Sequence, residues 1–395
     1  MRAAPWIAAA VAALAAAAPA AAQGQEQAAV SHGRPGFVVA PGALPSVEAS
    51  LHILRARHAA APPGSVERAD AGYVLRLAGR HLRGGPAGRR STVARTVRVN
   101  GWWFRRGARA PAQRVIVRDP DGVLSTHWAG RGFAVNPVAT TGRWGGLNRS
   151  LSPEALADAL LPFAVARRAG PRRFLLWEYY DVPDRPGAIR PGASGMAQSR
   201  MAQLLARAYY RTGEPRYADA ARGALAAFAV PVDRGGVVSP VGIPPSPWYV
   251  ERAYPGESPW KGAALNGFMV SILNLRSAAG LLETRPRPLA SGPRETRRRP
   301  RAPQAARSAA MARGLAERGA ATLQRFLPLH DTGAWSLYGL LTPGYPWRGL
   351  PADLGYHCYH VRLLRQLAVV EPGRGFRATA RRWAGYAARR GVPCA

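Results

Sequence analysis

Two tyrosines and two histidines stand close together near the C-terminal end of the chain. Trp335-Ser336-Leu337-Tyr338 precedes a Gly/Pro-rich loop, and Tyr356-His357-Cys358-Tyr359-His360 follows it at the head of an apolar helical run. If the loop folds back on itself, the phenols of Tyr338 and Tyr356 face one cleft, with His357 and His360 at i, i+3 spacing beside them. Phenols and imidazoles exchange protons, so the pattern suits acid–base chemistry. An aromatic packing corner between two helices would look the same, because aromatic side chains mostly fill cores.

The elements that must position these groups are helices. Ser152-Pro153-Glu154 supplies an N-cap, a Pro at N1 and an acid in the first turn, and predicts a helix that runs to Gly170. Further helices are expected over Ser194–Thr212, Pro215–Phe228, Asn266–Leu282, about Ala305–Phe326, Leu354–Val370 and Phe376–Arg390. Longer loops rich in Gly, Pro and aromatics fall on alternate connections, at 171–193, 231–264 and 330–353. That rhythm predicts paired helices arranged as an α/α toroid, with the long loops gathered at one rim. The expected fold is mainly α, with a small β-rich region at 90–135 ahead of the toroid. The β-rich region rests on alternation over Thr92–Val99 and on a hairpin around Asp119-Pro120-Asp121-Gly122. Residues 23–89 read as a leader and an irregular region with one short helix near Ser46–His58. The toroid domain spans 136–395, and Arg/Pro-rich residues 284–307 form a disordered insertion within it.

The N-terminus predicts export. Met1-Arg2, an apolar run from Ile7 to Ala18 and small residues before Gln23 make residues 1–22 a signal peptide. The destination is then extracellular or the cell envelope, and no other stretch is expected to span a membrane. The net charge of +33, with Lys261 as the single lysine, favours an anionic partner such as an acidic polysaccharide. Nucleic acid is disfavoured because no zinc-finger, homeodomain or RNP-type motif is present. No metal site, organic cofactor or disulfide framework is expected. Cys358 and Cys394 could form one bridge, though unbridged thiols are the favoured reading. Stable membrane insertion is not expected, and a homodimer is left open.

Several motifs in a fixed order resemble a known family. Ser194-Gly195-Met196-Ala197-Gln198 leads one helix, and Trp248-Tyr249, Glu251 and Tyr254-Pro255 precede Leu265-Asn266-Gly267-Phe268. Gly333-Ala334-Trp335-Ser336-Leu337-Tyr338 and Tyr356-His357-Cys358-Tyr359-His360 close the set. Over roughly 136–370 the chain resembles the C-terminal domain of D-glucuronyl C5-epimerases, enzymes that convert glucuronate to iduronate in heparosan-type polymers, and it looks like an exported bacterial relative. The resemblance implies an N-terminal β region ahead of an α/α-barrel domain. It also matches Tyr338 to the family's Ser/Thr-x-Tyr tyrosine, Tyr356 to its Tyr-His-x-x-His tyrosine and Tyr254 to its Glu-Tyr-Pro tyrosine. Two departures stand out. Ala253 occupies the place of the family glutamate, with Glu251 three positions before Tyr254, and Gly339-Leu340-Leu341 replaces Asp-Leu-Arg.

C5 inversion takes the proton alpha to the uronate carboxylate and returns one to the other face, which calls for two proton-transfer groups and a stabilised enolate. The expected catalytic set is Tyr338 and Tyr356, one phenol lowered by neighbouring cations, with Tyr254 and Glu251 as partners or substitutes. Gln198, Trp248, Asn266, Trp335, His357 and His360 are the expected substrate-binding residues. Each also has a plainer reading: Glu251 as a surface carboxylate paired to an arginine, Asn266 as a helix cap, Gln198 as packing and capping, and the histidines as core residues. A lyase or glycosidase on the same scaffold, and a non-catalytic binder of anionic glycan, remain alternatives.

Overall fold

The computed structural model describes residues 36–394 apart from 112–114, 143–146, 149, 181–188, 190, 255–262, 285, 287–302 and 341–348. The signal peptide, most of the Arg/Pro insertion, Lys261, Glu257 and Leu341 lie outside the described residues. The fold is mainly helical with a few small sheets.

The N-terminal part packs three helices, α1 (Val47–Ala60), α2 (Val66–His81) and α3 (Ala87–Arg105), against one small sheet. That sheet orders β1 (Gly36–Val38), β2 (Ile116–Arg118), β3 (Leu124–Trp128) and β4 (Gly132–Val135), with β1 parallel to β2 and the other pairs antiparallel. The β2–β3 hairpin forms at the expected turn. Asp119 Oδ1 accepts the Val123 amide at 2.8 Å, and Arg95 bonds both Asp119 and Asp121.

Thr92–Val99, expected as a strand, is instead the middle of α3. Its β-branched residues alternate, but Thr92, Val93, Thr96, Val97 and Asn100 are buried at helical spacing. Packing against α1 overrides propensity here: a Cβ on Gly101 would lie 2.5 Å from Ser50, so only glycine allows this approach. Asn100 then pairs both backbone groups of Phe133 at 2.8 and 2.9 Å, as a neighbouring strand would. Asp70 on α2 joins the sheet through His127 at 2.8 Å and the Gly132 amide at 2.9 Å. Residues 66–81, expected to be irregular, are therefore an ordered helix, α2.

After α4 (Pro137–Thr141), α5 covers only Pro153–Leu160 and does not run on to Gly170. A 3-10 turn containing Pro162, which has no amide to donate, ends it. The next residues form the antiparallel pair β5 (Ala164–Ala169) and β6 (Arg172–Trp177), and Gly170 at φ +58° belongs to their turn.

The paired helices follow as expected: α6 (Gly195–Thr212), α7 (Pro215–Ala226), α8 (Leu265–Glu283), α9 (Pro303–Phe326), α10 (Leu354–Val370) and α11 (Phe376–Arg389). Ser194 caps α6, and Gly213 ends it in the left-handed region at φ 73°. Helices α6, α8 and α10 lie side by side, backed by α7, α9 and α11. Helix α8 is long and apolar enough by composition to cross a membrane, contrary to the reading that no segment after the leader is. It sits instead among α6, α9 and α10, with 72% of its apolar window buried in the protein. Short hairpins β7 (Val238–Val241)/β8 (Ser246–Tyr249) and β9 (Leu337–Gly339)/β10 (Leu350–Pro351) precede α8 and α10. Cys358 in α10 is disulfide-bonded to Cys394, against the expectation of unbridged thiols, and ties the C-terminal end back to the first turns of that helix.

Glu178, just past β6, anchors the two parts to each other. Its buried carboxylate accepts two bonds from Arg89 of α3 at 2.9 Å, one from Arg167 of β5 and one from the Tyr180 hydroxyl at 2.6 Å. Removing one partner of such a cluster leaves the others uncompensated. Glu178→Ala is therefore expected to lower unfolding free energy by about 3–5 kcal/mol in denaturant titration, whereas Glu154→Ala, which breaks a half-exposed pair with Arg211, should cost about 1 kcal/mol or less.

Candidate active site

The site forms where strips of chain cross the N-terminal ends of α6, α8 and α10. Residues 249–254 run along the first of these ends: Gly195 donates to Val250 O at 2.7 Å, and Ala193 pairs with Ala253. Ala264, which precedes α8, pairs with Gly339 of β9. The phenols of Tyr338 in β9 and Tyr356 in the first turn of α10 meet edge to face, with ring centroids 4.6 Å apart. The first turn of α8 lies against the Glu251 carboxyl, so the partial positive charge of that helix start faces the cluster.

Glu251 lies in this cluster and not on the surface. It is 5% exposed, and its carboxyl reaches so close to the start of α8 that a Cβ on Gly267 would lie 2.8 Å from Oε2. Tyr338 is electrostatically coupled both to this carboxyl and to the Tyr356 phenol that its ring meets. Burial raises the Glu251 pKa to about 7, partly offset by Arg252, Tyr338 and Arg200. Burial likewise pushes the Tyr338 phenol well above its ordinary range, and the charge of Glu251 pushes it further. The phenol therefore moves opposite to the direction expected of a base: Tyr338 is a proton donor, and Glu251 is the group poised to ionise near neutrality. Tyr338 and Tyr356 also touch each other and do not stand on facing walls.

The other expected residues separate into two groups. Asn266 precedes Gly267 in the first turn of α8 and is 2% exposed, and its Oδ1 and Glu251 Oε2 have no hydrogen-bond partner among the described residues. Tyr254 is buried, its ring lying flat on Gly192, where any Cβ would strike it at 2.0 Å. Gln198 spends its amide on backbone, accepting from Trp177 N at 3.1 Å and donating to Leu175 O at 2.6 Å. Trp248 stacks on Phe268 and His330 in the core.

His357, His360 and Trp335 support the tyrosine strand. The Ser336 amide donates to His357 Nδ1 at 3.2 Å, so that nitrogen accepts and Nε2–H donates to Trp383 O at 2.9 Å. The Ser336 hydroxyl then bonds His357 Nδ1 at 2.8 Å, while His360 Nδ1 reaches the same oxygen at 3.0 Å. Trp335 stacks on His357 at 3.7 Å and donates to Ala352 O at 2.7 Å. Burial lowers the pKa of both histidines, so they are neutral at pH 7. Among the described residues, no cluster of three or more His, Cys, Asp or Glu is placed to hold a metal.

A family model described as the D-glucuronyl C5-epimerase C-terminus matches residues 177–385. The chain belongs to this family. The match begins at Trp177, the end of β6, and closes in α11, so it covers every element of the site. A D-glucuronyl C5-epimerase of Caenorhabditis elegans is 30% identical over 208 residues, 52% of this chain. The aligned part spans 30% of that relative's length. Within the family domain, sequence reasoning missed Arg200, Arg252 and Tyr359, all electrostatically coupled to Glu251. Their adjacency to Gln198, Glu251 and His360 was the available signal.

Two outcomes follow. Gly267→Ala should displace the Glu251 carboxyl and abolish any activity that depends on it. Glu251→Gln should stabilise the fold at alkaline pH. Because the folded pKa is raised, the cost of ionising Glu251 is absent below about pH 4.5 and complete above about pH 7. The variant's stability in denaturant should therefore match the parent near pH 4 and exceed it by on the order of 3 kcal/mol at pH 8.

Proposed function

We propose that this protein inverts C5 of hexuronate residues in an acidic polysaccharide, with Glu251 as base and a tyrosine as acid. The observation that carries this is a carboxyl buried against the start of α8, its pKa raised to about 7, and coupled to a phenol whose ring packs edge to face on a second phenol. Ionised Glu251 takes the C5 proton, and the electron pair delocalises into the uronate carboxylate as an enolate. Tyr338 or Tyr356 delivers a proton to the opposite face. The phenolate then recovers a proton from protonated Glu251, directly when the donor is Tyr338 and by way of Tyr338 when it is Tyr356, which restores both groups. The start of α8 and the charges of Arg252 and Arg200 stabilise the enolate, in the absence of the Asp-Leu-Arg arginine suited to holding the uronate carboxylate.

The paired helices α6 to α11 are read as an arc of the α/α toroid. Export follows from residues 1–22, and a Cys358–Cys394 disulfide agrees with an oxidising compartment. A charge of +33 draws polyanions to the surface.

Incubation with a glucuronate-containing polymer in deuterated water should place deuterium at C5 with no change in chain length. Glu251→Gln, Tyr338→Phe and Tyr356→Phe should each lower exchange about 10²–10⁴-fold. The pH profile of kcat/KM should rise through a midpoint near 7, as Glu251 ionises. Unsaturated chain ends in place of exchange would identify a lyase instead, and binding without exchange would identify a glycan-binding protein.

A further inference from the structure

Beyond the proton-transfer cluster, the same three helices enclose a groove of 380 Å³, at the lower end of the range for small-ligand sites. Its polar lining is Arg200 and Gln203 from α6, Asn274 from α8, and Tyr359, Arg362 and Gln366 from α10; Val270 and Leu363 supply apolar surface. Among the described residues, none that lines it is acidic. Six arginines elsewhere, Arg89, Arg95, Arg211, Arg276, Arg374 and Arg382, form ion pairs, while others such as Arg98, Arg118 and Arg325 bond backbone or amide oxygens. Among the described residues, neither Arg200 nor Arg362 pairs with a carboxylate. The Arg200 charge is coupled to the Tyr359 phenol, and its buried Nε has no partner among the described residues. Arg362 lies over the Tyr359 ring, 4.8 Å from its centroid.

The groove continues the site along the helices. Tyr359 follows Tyr356 by three residues on α10, and Asn274 follows Asn266 by eight on α8, which places the groove roughly 5–12 Å along the helix axes from the cluster. The Arg200 charge is felt at Glu251. Two guanidiniums, three amide side chains and one aromatic ring are the groups that hold a sugar ring carrying an anion.

We infer that this groove is an anion-selective subsite for the carboxylate- or sulfate-bearing sugar adjoining the reacting residue. The inference rests on the proposed polysaccharide substrate, but it concerns binding and requires no turnover.

Calorimetric titration of the full protein with an unsulfated hexuronate hexasaccharide tests it. Arg200→Gln and Arg362→Gln should each weaken binding roughly tenfold, with unchanged thermal midpoints. Arg313→Gln, a surface change in α9 that removes the same formal charge away from the groove, should not. The carboxyl-reduced hexasaccharide should bind the parent weakly and be indifferent to the variants. A tenfold loss seen only with a sulfated, carboxyl-reduced hexasaccharide would assign the groove to sulfate. Affinities equal to the parent, or losses no larger than that of Arg313→Gln, would overturn the subsite. Absence of C5 exchange would overturn the proposed reaction while leaving these binding results standing, and exchange with unaltered affinities would remove the subsite alone.

Discussion

The burial of one carboxyl governs the chemistry of this fold. Glu251 is withdrawn from water against Gly267 in the first turn of α8, and a Cβ there would push it out. Desolvation raises its pKa to about 7, the range in which a carboxylate is basic enough to remove a carbon-bound proton and still ionises in neutral solution. The same desolvation makes the Tyr338 phenol a firm donor. Two groups that differ widely in solution are thus set up as an acid–base pair by a shared dry environment.

The rest of the family domain keeps that geometry in place. Ser336 is gripped by His357 and His360, which fixes the strand carrying Tyr338, and the capping of α10 by Asp353 at 2.7 Å fixes the turn carrying Tyr356. The disulfide from Cys358 and the bonds from Trp383 and Tyr386 to Asp331, at 2.9 and 3.1 Å, tie the C-terminal helix to the same corner. The histidines are neutral, His357 engaged at both ring nitrogens and His360 through Nδ1 on Ser336, so they position the strand that carries Tyr338. On the opposite side, Glu178 holds the N-terminal helices against β5 with two arginines.

Much of this was legible in the sequence because caps and stops are local. Ser194, Gly213 and Pro215 mark helix ends within a residue or so, and the proximity of Tyr338 to Tyr356 agrees with the loop between them folding back on itself. What failed was decided by distant contacts. Thr92–Val99 alternates as a strand does, yet a face packed on α1 makes it helix. The Cys358–Cys394 bond depends on how α11 folds back on α10. Glu251 looked as much like a surface carboxylate as a base, and only the approach of α8 buries it. The direction of the tyrosine shift was likewise invisible, since arginine-rich composition suggested a lowered phenol whereas burial beside a carboxylate raises it.

The most direct measurement is carbon NMR titration of the side-chain carboxyls in protein labelled at glutamate. One resonance, missing in Glu251→Gln, should titrate with a midpoint near 7, well above the others. A Glu251 resonance that titrates in the ordinary range near 4.5 would contradict the account, because the carboxyl would then be solvated and too weak a base for the reaction.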